Sequence, residues 1–168
     1  SCSGEPGWKI APESSSKPSL GGTSAGAFIG IHVGYITDTT GLQQWMKDII
    51  ASQGDLEGNS GNPGYSSRIA GIINLAGAIG DTSWIDAGEV PMVSMHGNED
   101  GTVPYCSEIV PLIKQDSFIA DGSATMKART ARLGILNPFY TWRGADHVPY
   151  VDPTPTSSGP AYMDTTVW

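Results

Sequence analysis

Residues Gly22-Thr23-Ser24-Ala25-Gly26 run without a break into an apolar stretch from Phe28 to Ile36. A G-x-S-x-G spacing at the head of an apolar helix sets narrow limits on the fold. The serine of such a turn sits between a strand and a helix with strained backbone angles. Glycine two residues before and two after it removes Cβ atoms expected to clash with nearby backbone. The turn lifts the serine Oγ to the carboxyl edge of a sheet and to a helix N-terminus, where the dipole favours developing negative charge. A helix-capping serine would account for the five residues alone. Gly26, Gly30 and Gly34, however, recur at i, i+4 and i+8 and leave one helix face without side chains. Each interior glycine costs a helix about 1 kcal/mol relative to alanine, which predicts that this face packs closely on a sheet.

The rest of the chain alternates strand and helix patterns. Short apolar runs bounded by Gly, Pro or Asn predict buried strands at Ile69–Leu75, Val90–Met95 and Phe139–Trp142. An amphipathic stripe of Leu42, Trp45, Met46, Ile49 and Ile50 predicts a helix over Leu42–Ser52. Further helices are expected around Ser107–Lys114 and Ser123–Leu133. Between 54 and 67 the chain is Gly/Asn-rich, polar, and long enough to be a lid or binding loop. Residues 1–19 show neither period. Such alternation, with few hairpin signals, predicts an α/β domain with a mostly parallel sheet flanked by helices. The 168 residues, 39% of them hydrophobic, suffice for one such domain and one core.

Charge and cysteine content narrow the partners. Nine Lys+Arg against 17 Asp+Glu give a formal charge of −8, which argues against nucleic acid or an anionic membrane as partner. No apolar run approaches the roughly 18 residues needed to cross a bilayer. The sequence starts at Ser1 without Met, a charged n-region or an apolar h-region, so a targeting peptide is expected to have been removed or never to have existed. Cys2 and Cys106 could form one disulfide, which would suit an oxidising compartment, or remain two thiols.

Two further segments carry chemistry. Val90 to Tyr105 is an apolar strand ending in the polar turn His96-Gly97-Asn98-Glu99-Asp100. An Asp just beyond a strand's carboxyl end lies on the same sheet edge as Ser24, although Asn, Asp and Gly also fill turns for backbone reasons alone. Gly144-Ala145-Asp146-His147 follows the strand Phe139–Trp142 and places His147 on that edge too. A serine hydroxyl is a weak nucleophile near neutral pH. It needs an imidazole to take its proton and a carboxylate to fix the ring's tautomer. The order Ser24, Asp100, His147 supplies all three. Asp146 and Asp152 are too close to His147 in sequence to reach around its ring easily, and Glu99 is the main rival to Asp100. His32 reads as a packed or surface histidine, and His96 as one that orders the Asp100 turn. Trp84 and Trp142 are candidates to line a substrate pocket, although large aromatics also fill cores. Asp55, Glu57 and Asn59 lack the calcium-loop pattern and read as a flexible polar loop. Neither a phosphate-binding glycine loop nor a metal cluster is present in the pattern, so no cofactor is expected.

GGTSAGAF, EGNSGNPGYSS, NLAGAIGDTSWI, HGNEDGTVPY and GADHVPY together resemble the α/β-hydrolase superfamily, and within it secreted or periplasmic bacterial esterases of the carboxylesterase and dienelactone-hydrolase-like kind. The likeness covers about residues 20–150, and HG-x-x-D-x-x-VPY is its most specific part. It implies an acyl-forming nucleophile at Ser24, a general base and acid at His147, an orienting acid at Asp100, and an oxyanion donor at the Ala25 N–H. The implied substrate is a small-molecule or polysaccharide-linked ester. A full member has several strands before its serine turn, and an early loop gives the second oxyanion donor. Only 21 residues precede Gly22, so a truncated or minimal version of the fold is expected. The second donor would come from residues 1–20, from Gly21-Gly22, or from another chain. The serine-bearing strand would then lie at a sheet edge, which predicts a homo-oligomer or an N-terminal segment packed across it. The same three residues would also serve a peptidase, thioesterase or acyltransferase. A hydrolase-derived binding module without catalysis is the rival of another class.

Overall fold

A computed structural model describes residues 17–59, 66–113 and 116–151. Four strands make one wholly parallel sheet: β1 (Ser19–Thr23), β2 (Gly71–Leu75), β4 (Met92–Gly97) and β7 (Phe139–Trp142), in the order β1-β2-β4-β7. Gly21, Ile73 and Val93 stand in register across it, as do Leu75, Met95 and Tyr140. Because all four strands run the same way, their carboxyl ends share one edge. Helix α1 (Ala25–Tyr35) returns from β1 and packs on β1 and β2. Helix α2 (Gln44–Ser52) follows it, and α3 (Ser123–Leu133) leads toward β7.

The core lies on the α1 side of the sheet. Ala27, Ile31 and Tyr35, at i, i+4 and i+8, are buried. Ile31 and Tyr35 share a cluster with Ile72 and Met92 of the sheet, Met126 of α3, and Ile79 and Ile85. Each fully buried isoleucine contributes about 1.5–3 kcal/mol. The glycine stripe packs as its period predicts at two of its three positions. A Cβ on Gly34 would stand 2.5 Å from Ile72 Cδ1, and one on Gly30 would meet Leu20 at 3.6 Å, whereas one on Gly26 would meet nothing within 4 Å. On the other face of the sheet Ile73 and Tyr140 are 45% and 47% exposed.

One sequence expectation needs correction. The segment around Ser107–Lys114 is not a helix: Ser107–Ile113 is strand β5, paired antiparallel with β6 (Asp116–Gly122). Pro111 has no N–H for a helical bond, and the ladder register shifts between Val110 and Ile113, the stretch that contains it. With β3 (Ala78–Ile79) these strands form a second sheet in the order β3-β6-β5. Helix α2 forms where its stripe predicts, but no residue of it is buried, and Trp45 and Ile49 are exposed. The serine-bearing strand forms at Ser19–Thr23 in spite of its Ser and Gly content. As expected of a version of the fold with few strands before the serine turn, β1 pairs only with β2 among the described residues and lies at the sheet edge. Cys106 is exposed, and Cys2, with any bridge to it, lies outside the described residues. Much of the expected 54–67 loop (60–65) lies outside them as well.

Candidate functional site

Ser24 occupies the turn between β1 and α1 with φ 53° and ψ −120°. A non-glycine residue at positive φ is strained by its own Cβ, so the surroundings must hold it. The Ser24 N–H donates to the Leu75 carbonyl at 2.9 Å, extending the β1–β2 ladder by one bond, and its carbonyl accepts from the Phe28 N–H at 3.0 Å. Its hydroxyl makes no capping bond to α1 and is left for other partners. The turn closes so tightly that a Cβ on Gly22 would fall on the Gly26 carbonyl and stand 2.7 Å from the Ala27 nitrogen. Only the first motif glycine is thus required by space. The second supplies the backbone that the first must clear.

Asp100 follows the carboxyl end of β4. Its Oδ1 accepts the Thr102 and Val103 N–H groups, both at 2.8 Å. Its Oδ2 accepts from His147 Nδ1 at 2.7 Å and from His96 Nε2 at 3.1 Å. The Asp100 side chain is wholly shielded from solvent, and that of His147 is 16% exposed. Burial pushes the Asp100 carboxyl up, but the bonds from His96, Val103, His147 and Thr102 outweigh it and bring it down to about 2. It is a carboxylate at any pH near neutrality.

His147 lies beyond β7 in a loop clipped to the Asp100 turn. Gly144 N–H donates to Asn98 Oδ1 at 2.7 Å, and Glu99 N–H to the Ala145 carbonyl at 3.0 Å. Asp146 Oδ1 accepts from Gly101 N–H at 2.9 Å and from His147 N–H at 2.7 Å. Asp146 therefore ties the two loops together by backbone bonds, and no bond joins its carboxylate to the His147 ring. On the other side of that ring Nε2 is 2.9 Å from Ser24 Oγ. With Nδ1 facing a carboxylate, the neutral ring carries its proton there. Nε2 is then left as an acceptor for the Ser24 hydroxyl.

The structure thus brings Ser24, His147 and Asp100, from the ends of β1, β7 and β4, into one hydrogen-bonded chain. Ala25, the fourth residue singled out, opens α1, so its N–H has no carbonyl one turn back to receive it. The tryptophans are placed differently. Trp142 is 1% exposed and packs on Tyr140 and Tyr150, filling space at the end of β7. Trp84 packs edge-on against His32, two turns along α1 from Ser24. His32 itself stacks on Phe28, with Nδ1 2.7 Å from the Phe28 carbonyl, and burial holds it below the ordinary imidazole range. The residue that sequence reasoning underweighted is His96, buried and bonded to both Asp100 and Ser123. The available signal was a polar residue on the inward parity of an apolar strand, after Met92 and Ser94. Among the described residues no cluster of three or more His, Cys, Asp or Glu could hold a metal ion. None of the described helices is long and apolar enough to cross a membrane.

No family model matches the sequence, and neither does any curated protein. Solved structures do match. A thermophilic esterase of the planctomycete Thermogutta terrifontis, with propionate bound, aligns over 86% of this chain and 50% of its own, with 16% identity and a TM-score of 0.53. The fold is esterase-like. A truncated carbohydrate esterase from gut microbiota aligns over 76% of this chain and 51% of its own, with 17% identity and a TM-score of 0.52. Thermogutta terrifontis esterase 2 phosphorylated by paraoxon aligns over 77% and 43%, with 17% identity and a TM-score of 0.50. The chain spans about half the length of the solved structures it matches.

Proposed function

We propose that the chain is a serine hydrolase of carboxylic esters. The observation that carries this reading is the continuous chain from Ser24 Oγ through the His147 ring to Asp100 Oδ2, with bonds of 2.9 and 2.7 Å. As the ester carbonyl is attacked, the Oγ–carbon bond forms and the hydroxyl proton passes to His147 Nε2. Asp100 stabilises the imidazolium so formed. The Ala25 N–H, at the positive end of α1, donates to the oxyanion. Collapse breaks the ester C–O bond, and the His147 proton leaves with the alcohol. Water then attacks the acyl-Ser24, giving its proton to His147, which returns it to Ser24 as the acid departs.

The esterase-like fold supports this reading, as does the phosphorylation of one structural neighbour by paraoxon. An organophosphate and an ester carbonyl call for the same activated hydroxyl. The substrate would be a small-molecule or polysaccharide-linked ester. Ser24→Ala should abolish hydrolysis of a p-nitrophenyl acyl ester and labelling by a fluorophosphonate, with the circular dichroism spectrum unchanged. Turnover retained in that variant would remove Ser24 from the mechanism. A wild-type chain that neither turns over the ester nor takes the label would be a binding module.

A further inference from the structure

Six polar residues among the described ones are buried as whole residues: Asn74, Ser94, His96, Ser123, Thr130 and Asn137. All six belong to one chain of hydrogen bonds, and that chain ends on Asp100. Asn74 Nδ2 donates to Ser94 Oγ at 3.2 Å and to Ser123 Oγ at 3.0 Å. On one side Ser94 donates to Asn137 Oδ1 at 3.0 Å, and Asn137 Nδ2 to Thr130 Oγ1 at 3.3 Å. On the other, Ser123 Oγ lies 2.7 Å from His96 Nδ1, against 3.3 Å to the Gly77 carbonyl.

The protons of this chain have a direction. Both neighbours of His96 Nε2, Asp100 Oδ2 at 3.1 Å and the Val103 carbonyl at 3.3 Å, are acceptors, so Nε2 bears a hydrogen. Nδ1 of the neutral ring then accepts from the Ser123 hydroxyl, whose oxygen is already taken as acceptor by Asn74. Among the described contacts, the titratable groups that face His96 are Asp100 and Tyr105, the latter edge-on at 5.7 Å between ring centres. His147 stands on the far side of Asp100 Oδ2. A core needs no such network for packing, because apolar groups of similar shape fill space without the demand that every member be satisfied. Its members are instead arranged so that one N–H meets one carboxylate oxygen.

We propose that His96 is a positioning residue of the Ser24 site. Its Nε2–H holds the Asp100 oxygen that orients His147, and Ser123 holds the His96 ring. The inference rests on the reading of Ser24, His147 and Asp100 as catalytic. The Thr102 and Val103 N–H groups fix Oδ1 alone, and a carboxylate pinned at one oxygen can still turn about that anchor. The His96 bond fixes the second oxygen, and with it the line along which His147 is presented to Ser24.

The test compares His96→Leu, which removes the donor, His96→Gln, which keeps an N–H on a side chain of similar reach, and Ser123→Ala, which frees the ring. Steady-state hydrolysis of p-nitrophenyl acetate is followed across pH. His96→Leu should lower kcat by roughly tenfold to hundredfold, as small misalignments do, with KM within about twofold. The acid limb of its kcat profile should move to higher pH, because the Asp100 charge is then shared with one imidazole instead of two. Ser123→Ala should move both quantities the same way by less, and His96→Gln should restore most of kcat. Histidine-ring ¹⁵N NMR of the wild-type chain should find the His96 proton on Nε2. Wild-type kcat and acid limb in folded Ser123→Ala or His96→Leu would overturn the proposal, as would a neutral His96 protonated on Nδ1. The NMR and Ser123→Ala arms decide the matter if His96→Leu fails to fold. A wild-type chain inert to both ester and fluorophosphonate would instead refute the Ser24 reading, and the NMR would still decide the His96 bond.

Discussion

The two glycines of G-x-S-x-G should respond oppositely to the same substitution. In Gly22→Ala the new methyl falls on the Gly26 carbonyl and within 2.7 Å of the Ala27 nitrogen, both backbone atoms of the first turn of α1. No side-chain rotation relieves that contact, so either β1 or the helix start must shift. Overpacking of this kind costs about 1–3 kcal/mol. At roughly 2–4 °C per kcal/mol for a chain of this size, the melting temperature should fall by about 2–12 °C. Turnover should fall further than stability, since the displaced atoms flank Ser24. In Gly26→Ala the methyl meets nothing within 4 Å, and α1 gains up to about 1 kcal/mol of helix propensity. Its melting temperature should stay level or rise by up to about 4 °C. Thermal unfolding by circular dichroism, with p-nitrophenyl ester turnover on the same samples, reads both. Equal losses at the two positions, or a wild-type Gly22→Ala, would refute the packing argument.

Two other perturbations test the acid. Asp100→Asn keeps the size of the side chain, but its amide can face His147 with a donor and select the wrong ring tautomer; kcat should fall by about 10³–10⁴, with KM little changed. Acid titration of stability should show the same carboxylate. The Asp100 pKa is near 2 folded against an ordinary 3.8, so the unfolded chain takes up the proton first as pH drops. The stabilisation is whole above about pH 5 and is lost as pH falls from about 4 to 2. Allowing for solvent screening, it amounts to about 1–2 kcal/mol. Urea unfolding at pH 5 and pH 3, for wild type and Asp100→Asn, should show a smaller acid loss in the variant. Parallel losses would assign the acid sensitivity to other groups.

Much of this architecture was legible because short-range patterns and the needed structure agree. The runs at Gly71–Leu75, Met92–Gly97 and Phe139–Trp142 are strands within two residues of their expected bounds. Helix α3 spans Ser123–Leu133 as its pattern predicts. The three side chains of the site could be placed on one edge because a parallel sheet leaves its strand ends there. What failed depended on tertiary pairing. In Ser107–Ile113 the apolar spacing imitates a helix, and only Pro111 and the partner strand Asp116–Gly122 argue otherwise. Strand β1 was expected from the serine turn and not from its own residues, since it has Ser and Gly where strands favour branched residues and is held by its ladder to β2. The His96–Ser123 bond joins residues 27 apart and could not be read from either alone. For Trp84 and Trp142 residue type alone left pocket wall and core filler open; Trp142 is buried, whereas Trp84 is half-buried and lines a cavity beside Tyr35 and Leu42.

Ser24 and His147 are separated by 123 positions along the chain, yet a single hydrogen bond joins them. Closing so wide a loop is entropically late, because nothing rewards it until the intervening strands have paired. During refolding, recovered turnover should therefore be among the last signals to return, trailing the helical ellipticity of α1 and α3. The same ordering makes the hydroxyl a sentinel in the opposite direction, since fraying at the tip of any one of three strands would silence it while most of the molecule stood intact.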